Sequence, residues 1–144
     1  MILSLSINER RRRIVDPKTI VKEFFERVYN QRDYDCVMTL FSDDYYEHTE
    51  NGARSNRDAC DIIKNATTIF PDLSVQIDNI IAETDRVAVR LTFSATHKGE
   101  FFGVPASGKK IVFEAMEFFK IAEGKIVESW GNWPIYDILE QMKS

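Results

Sequence analysis

The feature that most constrains this chain is a change of period near its midpoint. Residues 73–82, 87–97, 110–121 and 125–133 form four long runs rich in Val, Ile, Phe and Thr. Turn chemistry separates them at Glu83-Thr84-Asp85, between Gly99 and Gly108, and at Glu123-Gly124. Four such runs require a sheet, and short connections between successive runs make it an antiparallel meander.

The first half has a helical period instead. Asp16-Pro17 reads as an N-cap followed by proline at the first helical position, and Ile20, Val21, Phe24, Phe25 and Val28 then share one face as far as Asn30. Val37, Leu40 and Phe41 predict a second, shorter helix ended by Asp43-Asp44, and residues 45–49 form a short extended segment carrying His48. Ser55 or Asn56 caps a third helix whose Ala59, Ile62, Ile63 and Ala66 lie on one face, and Pro71 stops it. A last helical turn or two is expected over residues 135–142. Three helices leading into a meander predict an α+β fold in which the helices pack across a curved, mostly antiparallel sheet.

A chain of 144 residues, 44% of them hydrophobic, can bury one core, so we expect a single domain over residues 16–144 behind a flexible tail at 1–15. The net charge of −4 gives no reason to expect nucleic acid or an anionic membrane as a partner, and the Arg10–Arg13 run reads as part of a solvated tail. Cys36 and Cys60 have neither metal-ligand nor disulfide-scaffold spacing. With no secretory leader and no spanning segment legible, the expected setting is cytoplasmic with reduced thiols.

Alternation places Val87, Val89, Leu91, Phe93, Ala95 and His97 on one face of the second long run. On the third run Phe113, Ala115, Glu117 and Phe119 share a face, so a carboxylate is threaded into an apolar row, while Val112, Met116 and Phe118 make the other face greasy too. A sheet apolar on both sides must be covered on both, and three helices cover only one. The other is a candidate homodimer surface.

Three segments carry a family likeness: Phe70-Pro71-Asp72-Leu73, the run from Thr96-His97-Lys98-Gly99-Glu100-Phe101 through Gly103-Val104-Pro105 to Gly108-Lys109, and Glu123-Gly124-Lys125-Ile126-Val127-Glu128-Ser129-Trp130. On these the chain resembles the SnoaL-like polyketide cyclases of the nuclear-transport-factor-2-like superfamily, over residues 17–142. The resemblance implies a cone around an apolar pocket, a small hydrophobic carbonyl compound as partner, and ring closure or isomerisation by acid–base chemistry with neither metal nor organic cofactor. It also implies an acid–base aspartate four residues beyond Trp130. Pro134 stands there, and Asp137 follows three residues later. Proline transfers no proton, which leaves open a non-catalytic ligand-binding or dimeric regulatory module.

His97, at the end of an apolar face, His48 and Glu117 are therefore the candidate acid–base residues, each also readable as structural. Trp130 and Asn132 fall on the face of Pro134 and are expected, with Phe93 and Phe113, to line the pocket. Glycines at 99, 103 and 108 make no phosphate cradle, because no GKS or GKT follows.

Overall fold

Residues 16–144 are described by the structure, a computed structural model; the expected tail at 1–15, with its arginine run, lies outside the described residues. Helix α1 spans Pro17–Glu23. Asp16 caps it by accepting the Lys18 backbone N–H at 2.9 Å. From Phe24 to Asn30 the helix widens into π-helical turns that bury Phe24, Phe25 and Val28. Its end is clamped to the sheet edge: the Asn30 side chain donates to Val75 O at 3.0 Å and accepts from Val75 N at 2.9 Å.

Helix α2 (Asp35–Leu40) is one residue shorter than its apolar spacing predicts. Phe41 leaves it, and strand β1 (Phe41–Glu47) carries Asp43 and Asp44 as exposed strand residues rather than as a helix stop. Helix α3 (Asn56–Ile69) is capped by Ser55, whose hydroxyl accepts from Asp58 N. Its buried face includes Ala59, Cys60, Ile63 and Thr67. Ile62, expected on that face, is instead 44% exposed.

Strands β2 (Ser74–Glu83), β3 (Arg86–Thr96), β4 (Lys110–Ala122) and β5 (Lys125–Gly131) match the four predicted runs to within two residues at each end. Glu123 and Gly124 sit at φ 50° and 77°, the left-handed pair that a two-residue hairpin requires. The curved, unclosed sheet has the order β1-β5-β4-β3-β2; its pairs are antiparallel except β1 with β5, which is parallel. Irregular register within β2 and within the β4–β5 ladder helps bend it. Helix α4 (Ile135–Lys143) closes the chain. There Gln141 exchanges two hydrogen bonds with the Val112 backbone, at 2.9 and 2.7 Å, covering the part of β4 that β5 does not reach.

The concave face packs on the helices as an aromatic interior. Phe93 and Phe113 stack at 5.1 Å, and Trp133 leans on both at 5.2 and 4.8 Å. The convex face stays open, with Ile81, Val112, Met116 and Phe118 all exposed. Cys36 and Cys60 are free and buried. No helix among the described residues is long and apolar enough to cross a membrane.

Candidate functional site

The interior beside β3 is solid. Val89, Leu91 and Phe93 are buried, and so is Phe113, opposite Phe93 on β4. The hollow lies further along, where the end of β1, the middle of β4 and the end of β5 approach α3 and the π-helical segment. It is an open-mouthed cavity of about 380 Å³. Tyr29, Glu47, Glu117, Asn132 and Trp133 line it, with Ile62, Ile63, Ala66 and Ile69 of α3 across from them and Phe101 and Phe102 at one side.

Local sequence explains each placement. The widened turn ends by turning Tyr29 inward, where its ring meets Phe93 edge-on at 5.7 Å. Strand alternation sends Glu47 inward and His48 outward. Glu117 stands opposite Gly131 on the β4–β5 ladder. A β-carbon at 131 would meet Met116 O at 2.7 Å and Glu117 Cγ at 2.9 Å, and φ there is +141°, so only glycine lets the two strands close at this point.

Glu117 is half-buried and borders both this cavity and a groove on the convex side of the sheet. Withdrawal from water, and secondarily the charge of Glu47, push its carboxyl up to about 8. Burial first, then Glu117, Glu47 and Tyr45, raise the Tyr29 phenol well above its ordinary value. Tyr45 is also raised, chiefly by burial, and hydrogen-bonds Ser129. Both phenols therefore keep their protons. Glu47 holds the turn that follows it, one carboxylate oxygen accepting from Ala53 N at 3.0 Å. Thr49 donates to Asn132 Oδ1 at 2.9 Å, which leaves the Asn132 amide nitrogen free to donate.

Of the residues expected in the pocket, only Glu117 and Asn132 line it. Phe93 and Phe113 lie behind Trp133, where they pack and do not touch the hollow. Trp130 is directly opposite Phe118, and cross-strand partners share a face, so it lies on the convex side. His48 is there too, stacked flat on Trp130 at 4.4 Å, with Nε2 2.8 Å from Glu128.

His97 is fully enclosed behind Phe70. Its Nδ1 accepts from Ser107 N at 3.2 Å and lies 2.9 Å from Ser107 Oγ, while Nε2 has no partner among the described residues. It anchors the 98–109 loop, which also binds Ile69 O through Lys98 N and Gly99 N and brings Phe101 and Phe102 to the cavity. Asp137 is exposed on α4 and accepts from Gln141, away from the cavity.

Tyr29, Glu47 and Trp133 were missed by sequence reasoning. A strand period over residues 41–47 puts Glu47 on the same face as Phe41 and Tyr45. A larger trench of about 970 Å³ runs between α1 and β2, but it is an open groove whose Glu23 and Arg27 already pair with each other. No cluster of three metal-ligating side chains occurs among the described residues.

The family model for SnoaL-like polyketide cyclase matches residues 19–143. Among solved structures, AclR from Streptomyces galilaeus, a candidate hydroxylase, is 30% identical with a TM-score of 0.77, covering 88% of this chain and 95% of that one. The candidate polyketide cyclase IdmH from Streptomyces antibioticus is 22% identical with a TM-score of 0.79, over 90% of this chain and 100% of that one. A candidate SnoaL-like cyclase from Jannaschia sp. CCS1 is 20% identical with a TM-score of 0.81, over 89% and 92%. No curated protein matches the sequence significantly.

Proposed function

This chain belongs to the SnoaL-like polyketide cyclase family, and from that premise we propose that its cavity binds a small, largely apolar carbonyl compound and cyclises or isomerises it by acid–base chemistry. The observation that carries the reading is Glu117: a carboxyl on the wall of an apolar hollow, with a proton affinity raised to about 8. Its carboxylate form takes a proton from the carbon beside the carbonyl. The Tyr29 phenol and the Asn132 amide face the same space and donate to the enolate oxygen. After carbon–carbon bond formation or double-bond migration, Glu117 returns the proton. Pro134 stands where the family's aspartate is expected, and in this reading the carboxylate comes from the neighbouring strand instead.

Glu117→Gln should lower turnover of polyketide-like and 3-oxo substrates by about 10²- to 10⁴-fold. The wild-type rate should rise with pH to a plateau above about 8, as the base form accumulates. His97→Ala should act through loop order, lowering stability more than it alters the pH profile. Pro134 favours a second reading, a binding module without turnover. Ligand binding with no product from any substrate of the panel, in wild type and variant alike, would select it.

We also propose a homodimer through the convex face, where Ile81, Met116 and Phe118 are exposed around Trp130. A cytoplasmic setting accords with the two buried free thiols.

A further inference from the structure

We propose that the ligand of this cavity carries a protonated amine on its apolar body, with the ammonium held between Glu47 and Glu117 against the aromatic side chains beside them. The inference rests on the cavity being the ligand site, and it narrows the class of ligand. Two carboxylates from different strands, β1 and β4, line one hollow, and among the described residues no Lys, Arg or His lines it with them.

Several acids elsewhere in the chain meet a cation. Glu23 and Asp33 meet Arg27, Asp78 and Glu114 meet Arg90, and Glu128 meets His48 and Lys120. The cavity pair is left without a cation. The Glu117 carboxyl takes part in no hydrogen bond among the described residues, and of the Glu47 carboxylate only one oxygen is engaged, by Ala53 N. Tyr29, Phe101, Phe102 and Trp133 supply the aromatic walls.

A cation leaving water needs a counter-charge and gains further from aromatic faces, and this hollow offers both. An anion would meet the charge of Glu47 and no cationic partner, and its presence would further disfavour ionisation of Glu117. The titratable groups acting on Glu117 are Glu47 and, through their own shifts, Tyr29 on the π-helical segment and Tyr45 on β1, and both tyrosines are neutral. At neutral pH Glu117 is mostly the acid. An entering ammonium converts it to carboxylate, one proton passing to the buffer, so ligand binding itself would generate the base that the proposed reaction needs.

The test is calorimetric titration of the full chain at pH 7 with three probes of matched size, naphthylethylamine, naphthylethanol and naphthylacetate, each in two buffers of different ionisation enthalpy. The amine should bind about tenfold more tightly than the alcohol, and the acetate most weakly. A carboxyl titrating at about 8 is roughly nine-tenths protonated at pH 7, so amine binding should release about 0.9 proton and alcohol binding none. Glu117→Gln should bring amine and alcohol to within about twofold and abolish proton release, while unchanged alcohol affinity would show the cavity intact.

Equal affinity for amine and alcohol in the wild type, acetate binding as tightly as the amine, or amine binding without proton release would overturn the proposal and leave the cavity as a ligand site. Failure of all three probes to bind would remove both readings. The wild-type proton count stands even if the variant does not fold.

Discussion

Glu117 holds its proton up to about 8 in the folded chain against an ordinary value of 4.5. Below pH 4.5 both folded and unfolded states carry that proton, and stability is at its full value. Between 4.5 and about 8 the unfolded chain releases the proton while the folded chain keeps it, so stability falls with rising pH; above 8 the loss is complete. Each pH unit in that window costs up to about 1.4 kcal/mol, reduced here because Glu117 is only half-buried. Thermal melts of wild type and Glu117→Gln between pH 5 and pH 9 should therefore diverge, the wild type losing several degrees that the variant keeps. Parallel curves would mean that the carboxyl is not held in a desolvated site. Glu117 was legible in the sequence because a charge in an otherwise apolar alternating row is conspicuous. His97 was conspicuous for the same reason, yet its ring is enclosed by Phe70 and the 98–109 loop, and nothing in strand alternation distinguishes a void from a packed neighbour.

At the scale of elements, the junction of β4 and β5 decides the site. Gly131 combines φ +141° with backbone and Glu117 atoms within 3.1 Å of a notional β-carbon, whereas Gly124 has φ +77° and nothing within 4 Å. Gly124→Ala should cost about 1 kcal/mol, from backbone strain alone. Gly131→Ala adds a collision with the β4 backbone and should cost about 3 kcal/mol or more, lowering the melting temperature by roughly 6–12 °C. Equal losses from the two substitutions would show that the strands do not close as tightly as described. The four long strands were legible because β-branched and aromatic runs between short turns admit little else. Strand β1 was harder: Cys36 to Phe41 fits a helical period, and only its parallel pairing with β5, a contact between residues about 80 apart, draws Phe41 out of the helix. The π-helical turns that aim Tyr29 inward leave no pattern that a 3.6-residue period would detect.

For the whole molecule, the convex face follows from the same alternation that built the cavity. Each inward residue of β4 has an outward neighbour, and there the outward row includes Val112, Met116 and Phe118, exposed by 54%, 71% and 39%. Phe118 meets Trp130 edge-on at 5.7 Å, and a groove of about 500 Å³ runs beside them toward Ile80, Ile81 and Ala88. Charges of both signs rim it, with Arg90 and Glu114 on one side and Lys120 and Glu128 on the other. Such a face can meet its own copy about a two-fold axis, apolar centre on apolar centre and each charge near an opposite one. A stable dimer buries roughly 800 Å² per partner, an area that much of one sheet face can supply. Sedimentation of the wild type at micromolar concentration should give twice the 16.7 kDa chain mass. Met116→Glu sets two like charges near the axis and should weaken association by about 100-fold or more without changing the melting behaviour of the separated chain. A wild-type monomer at those concentrations would remove the dimer and leave the convex groove without an occupant.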